Sequence, residues 1–165
     1  MQDSVISAEG GCSCGKVRYK LENKALVVHC CHCLICQRQT GTAFALNALF
    51  DASNITLLQG ELSEHIEATP SGKGQTITRC CHCKVAVWSH YFMGGIKEKI
   101  RFLRVGTLDN PNVLPPDVHI FAASKQSWVS LPQNAKVYEV FYEFEKIWSV
   151  KDNQHRLRLL QMLES

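Results

Sequence analysis

Hydrophobic and polar residues alternate with period two along much of the chain. Val17, Tyr19 and Leu21 alternate with Lys16, Arg18 and Lys20. Phe44, Leu46 and Phe50 mark a second segment that runs through Asn47 and Ala48, and Leu62, Glu64 and Ile66 a less regular third. Val85, Val87 and Trp88 follow, then Ile100, Phe102 and Arg104, then Val118 and Ile120, and last Tyr138, Val140, Tyr142 and Phe144. Successive side chains of a strand point to opposite faces, so this pattern predicts half-buried strands and a mainly β domain. Turn residues separate the segments at Asp51 to Asn54, at Pro70-Ser71-Gly72-Lys73-Gly74 and from Asn110-Pro111 to Pro115-Pro116-Asp117.

Two short helices interrupt the pattern. One is predicted from Leu34 to Thr40, stopped by Gly41. The other is C-terminal, with Leu157, Leu160 and Leu163 on one face and Asp152 or Asn153 as its cap. It reads as a packing element or as the contact of a homo-oligomer. Beyond its cysteine motifs the sequence has no internal repeat, and it has no low-complexity tract or linker.

Composition narrows the class. The 165 residues are 45% hydrophobic and 20% charged, which suits one folded domain with a real core. Met1 to Gly10 has neither the basic head nor the apolar run of a signal peptide, and no stretch is apolar enough to span a bilayer. A cytoplasmic location is therefore expected, where thiols stay reduced. The net charge of +3 is mild and does not indicate a dedicated nucleic-acid binder.

The chemistry lies in the cysteines. All nine fall in three clusters: Cys12-Ser-Cys14, Cys30-Cys31-His32-Cys33-Leu34-Ile35-Cys36, and Cys80-Cys81-His82-Cys83. An odd number of cysteines cannot all be paired in disulfides. C-x-C and C-x-x-C spacings let two thiolates reach one soft metal ion from a single backbone turn. Two such pairs make one closed tetrahedral site, and the triplet Cys31, Cys33, Cys36 makes a second with an empty fourth position. Spacing alone leaves the partition open. Cys30 with Cys33, or Cys33 with Cys36, could pair with Cys80 and Cys83 instead, and His29, His32 or His82 could serve as ligands.

Gly11-Cys12-Ser13-Cys14-Gly15-Lys16-Val17-Arg18-Tyr19, Cys31-His32-Cys33-Leu34-Ile35-Cys36-Gln37-Arg38-Gln39-Thr40-Gly41 and Cys80-Cys81-His82-Cys83 resemble, in that order, three motifs of the glutathione-dependent formaldehyde-activating enzyme family, whose domain centromere protein V also carries. The stretch His119-Ile120, Ser124-Lys125 and Trp128 resembles a later family segment. The resemblance implies a zinc-containing β-tent of bent antiparallel sheets over residues 8–131, with 132–165 as a C-terminal extension of strand plus helix on the same domain. It implies two zinc ions per chain. Cys12, Cys14, Cys80 and Cys83 would hold a structural zinc, and Cys31, Cys33 and Cys36 a catalytic one. The implied activity is a carbon–sulfur lyase of the S-(hydroxymethyl)glutathione synthase type, joining glutathione or a similar small thiol to formaldehyde. Arg38 is the nearest cation in sequence for a substrate carboxylate. Arg79 and Lys84 depart from the family pattern around the third motif, and Gln37-Arg38 reduces its basic pair. A non-catalytic double-zinc module that binds protein or nucleic acid is the alternative reading.

Overall fold

The computed structural model describes residues 6–91 and 96–164. Among these residues, ten strands form two sheets. The smaller sheet contains β1 (Ile6–Gly11), β2 (Arg18–Asn23) and β5 (Ile55–Gln59), in the order β1-β2-β5. The larger is built from β3 (Val27–Cys31), β4 (Ala45–Asp51), β6 (Leu62–Glu67), β7 (Gln75–Cys80), β8 (Ala86–Tyr91), β9 (Ile100–Arg104) and β10 (Val118–Ile120). Its order is β10-β3-β4-β9-β8-β7-β6. Neighbours are antiparallel except β10 and β3, which run parallel. The fold is mainly β, as the alternation predicts, with a C-terminal helix. No described helix is long and apolar enough to cross a membrane.

The larger sheet is covered on both faces. On one, Val28, Ala48, Phe50, Val87, Trp88 and Leu103 pack against Tyr19 and Leu21 of the small sheet and Val17 just before it. Tyr19 meets Trp88 edge to face at 5.8 Å, and its hydroxyl lies 2.6 Å from Thr107 Oγ1. Burying each such side chain contributes about 1.5–3 kcal/mol. On the other face, Val27, Leu49, Ile100 and Val118 meet Tyr142, Ile147, Trp148 and Leu159 from the C-terminal segment. Strand β3 therefore has no exposed face, and all five of its residues are buried.

Helix α1 (Leu34–Thr40) matches its predicted limits, and Gly41 ends it in the left-handed conformation at φ 67°, where a residue without Cβ is unstrained. Two expectations are corrected. Tyr138 to Phe144 is not a strand. Its backbone follows β10 through His119 N–H to Lys136 O and Phe121 N–H to Val140 O, but only Val137 forms a bridge, to His119. Phe121 turns left-handed and the short helical turn Ala122–Ser124 follows, so the edge of β10 bends away before a ladder can extend. A short helix α2 (Phe144–Ile147) forms where the strand was expected to end. The C-terminal helix α3 (Val150–Glu164) buries Asp152, Arg156 and Leu159, whereas Leu157 stays exposed. Its cap is Ser149: the Asp152 N–H donates to Ser149 Oγ, which donates to Asp152 Oδ2 at 2.6 Å. This reciprocal arrangement places Asp152 inside the first turn.

Candidate metal centres and the adjoining cavity

Cys12 and Cys14 lie between β1 and β2, Cys80 ends β7, and Cys83 lies in the turn to β8. Their four sulfurs all lie within 4.8 Å of one another. Cys12 to Cys14 is 3.4 Å and Cys14 to Cys80 is 3.8 Å. Thiolates on a tetrahedral zinc, each about 2.3 Å from the ion, are about 3.8 Å apart, so the donor set and its spacing fit zinc. Val17 N–H donates to Cys12 Sγ and His82 N–H to Cys80 Sγ. Burial alone would raise the Cys12 thiol; the Val17 N–H and the neighbouring sulfurs overcome this and bring it down to about 6. An ion here would tie the small sheet to the large one.

Cys31 is the last residue of β3, Cys33 is the N-cap of α1, and Cys36 lies in its first turn. These three sulfurs also lie within 4.8 Å of one another. The Cys36 N–H donates to Cys33 Sγ at 3.4 Å. Hydrogen bonds with Cys31 and Cys36 hold the Cys33 thiol far below its ordinary value, and those with Cys33 and Cys36, together with burial, push Cys31 far up. No histidine or further cysteine among the described residues joins the group.

Sequence reasoning missed the polar groups around the triplet. Arg104 on β9 is buried and donates from Nη1 to Asn47 Oδ1 at 2.6 Å and from Nη2 to Gln39 Oε1 at 3.3 Å. Burial lowers its pKa, and attraction to Cys36 and Cys31 opposes that. The guanidinium therefore lies where it can offset thiolate charge. Arg101 stacks over Trp88 at 4.8 Å. Neither arginine belongs to an open basic face, although the two are close in sequence.

A cavity of about 290 Å³ opens against Cys31, Cys33 and Cys36. Ile35, Phe102, Ile120, Phe121 and Phe141 wall it, with Asn47 and Gln75 among its polar lining. His29 also lines it, but its Nε2 lies 2.6 Å from the Tyr142 hydroxyl, and complete burial pushes its pKa down to about 3. Arg38 lines a separate open groove with Gln126 and Trp128 and is not among the residues around the cavity.

The remaining candidates divide. Cys30 points to the opposite face of β3 from Cys31 and meets His32 and His119, with Cys30 Sγ to His32 Nε2 at 3.6 Å and His32 Nε2 to His119 Nδ1 at 3.0 Å. His32 Nδ1 is buried without a partner. His82 is exposed beside Lys16, and Cys81 is half-buried outside both sulfur groups. Strand alternation separates Cys30 from Cys31, and a sequence reader can apply that rule only after β3 is recognised.

Of three comparisons with known proteins, the match to a family model bears on the motifs. No curated protein matches the chain. A crystal structure of a Rhodobacter sphaeroides protein aligns with 64% of this chain and 93% of its own at 18% identity and a TM-score of 0.47. The model of the family described as glutathione-dependent formaldehyde-activating enzyme matches residues 7–124, which hold all three cysteine clusters. The chain therefore belongs to the glutathione-dependent formaldehyde-activating enzyme family.

Proposed function

We propose that the protein is a zinc-dependent carbon–sulfur lyase. Cys12, Cys14, Cys80 and Cys83 hold a structural zinc, and Cys31, Cys33 and Cys36 hold a catalytic one. The reading rests on one observation above all: three convergent sulfurs face an accessible cavity, and no fourth protein donor among the described residues completes their group. Zinc in such a site supplies positive charge that favours the thiolate form of a thiol in contact with it.

The chain's residues do the rest. Three thiolates outweigh a divalent ion by one negative charge, and a thiolate substrate would add another. Arg104 offsets part of this charge from its buried position beside Cys36. Asn47 and Gln39 hold the guanidinium in place. The walls of the cavity limit water around the sulfur, which strengthens these charge interactions. In the synthesis direction the thiol sulfur forms a bond to the carbonyl carbon, the C=O π pair moves to oxygen, and that oxygen takes up the proton the thiol released. With glutathione and formaldehyde, the pair that the family description suggests, the product is S-(hydroxymethyl)glutathione.

Exchange NMR tests the proposal. Zinc-loaded protein should accelerate exchange between free formaldehyde and its adduct with glutathione or 2-mercaptoethanol, and Cys36→Ser should abolish the acceleration. Exchange no faster than in buffer with both thiols would overturn it.

A further inference from the structure

The cavity beside the triplet has far more hydrocarbon surface and volume than formaldehyde requires. Its volume of about 290 Å³ has room for about ten water-sized groups. Five of its walls are the apolar side chains Ile35, Phe102, Ile120, Phe121 and Phe141. No lysine or arginine is found among the described residues that line it. Its polar groups are largely engaged: Asn47 with Arg104, Gln75 with Gln39 and Ser89, and His29 with Tyr142. Phe141 lies beyond the family match, which ends at residue 124, and it stacks on Tyr142 with ring centroids 4.5 Å apart. The C-terminal segment thus contributes a wall from outside the matched region.

A thiol whose sulfur reaches Cys31, Cys33 and Cys36 must place its neighbouring atoms in this cavity. Glutathione would bring charged groups close to apolar walls, and a carboxylate that leaves water there without a cation or donor is strongly disfavoured. A hydrocarbon substituent would instead leave water at a gain.

We propose that the thiol accepted at this site is compact and apolar, a sulfhydryl on a hydrocarbon group of up to about ten heavy atoms that fills this cavity. Glutathione is the weaker ligand. The inference rests on the thiol-binding reading of the triplet and replaces only the identity of the thiol.

The test is a titration of cobalt-loaded protein with ethanethiol, butanethiol, hexanethiol and glutathione. It follows the thiolate-to-cobalt charge-transfer absorption. Affinities are compared at equal thiolate concentration, because the free thiols ionise differently. Each buried methylene should tighten binding about fourfold, so hexanethiol should exceed ethanethiol by more than about a hundredfold. Glutathione should bind at least about tenfold more weakly than butanethiol. Ile35→Asn should reduce the gain per methylene. A flat alkyl series, or glutathione tighter than butanethiol, overturns the apolar-thiol inference and leaves the thiol site standing. Spectra unchanged by all four thiols overturn the thiol site itself, and this inference with it.

Discussion

Replacing Cys14 and Cys83 together by serine removes one sulfur from each segment of the four-sulfur cluster. The two that remain, Cys12 and Cys80, are too few to hold an ion. The ligands belong to different sheets, and Cys14 and Cys80, 3.8 Å apart in space, are separated by 66 positions in the chain. Closing a loop of that length in the unfolded chain costs about 4 kcal/mol in the chain-entropy treatment of cross-links. For a chain of this size 1 kcal/mol moves Tm by about 2–4 °C, so the double variant should lose about 8–16 °C. The triplet spans only Cys31 to Cys36, for which the same treatment gives about 2 kcal/mol. Cys36→Ser should therefore lower Tm by about half as much. The assay is thermal unfolding by circular dichroism, with metal content measured on each sample. If the double variant lost one zinc and melted no lower than Cys36→Ser, the four-sulfur cluster would not be what joins the sheets.

Three further outcomes are expected. Arg104→Met should weaken thiol binding by about tenfold to a hundredfold, about 1.4–2.8 kcal/mol, and Arg104→Lys should recover most of it; calorimetric titration at equal zinc loading checks this. Burial lowers the pKa values of His29, His32, His90 and His119, so below about pH 6.5 the unfolded chain takes up protons that the folded chain refuses. Stability from these groups is complete above that pH and falls below it, by up to about 1.4 kcal/mol per pH unit for each histidine. His29→Gln should reduce that slope in urea titrations between about pH 6 and 4, and an unchanged slope would show that His29 does not contribute. Ser149→Ala should cost about 1 kcal/mol through loss of the α3 cap, seen as a Tm lower by about 2–4 °C with zinc content unchanged.

The cysteine motifs and most one-sided strands were legible because their information is local. Cys31, Cys33 and Cys36 converge within one strand end and one helical turn, so spacing marks them as candidate ligands, although it leaves open how the clusters divide. Strand β3 was not legible: covered on both faces, Val27 to Cys31 has no alternation to read. The C-terminal helix misled for the opposite reason. Its buried face includes Asp152, paired with Lys24 at 2.9 Å, and Arg156, whose guanidinium lies 3.9 Å over Phe144, so charge did not mark the outside. Arg104 enters the sequence reading only as a strand position, because its partners Asn47 and Gln39 are 57 and 65 positions away. The cavity has the same origin: Ile35, Phe102 and Phe141 are brought together only by the sheet order and the returning C-terminal segment.

The central claim is that the triplet holds a metal whose fourth position is open to an outside thiol. Cadmium-113 NMR of cadmium-loaded protein tests it directly, because each site gives its own resonance and the shift follows the number of bound sulfurs. The account predicts two resonances. One, from Cys12, Cys14, Cys80 and Cys83, should ignore added butanethiol, and the other should move to the four-sulfur region and be absent in Cys36→Ser. A single resonance, or two that both ignore the thiol, would contradict it.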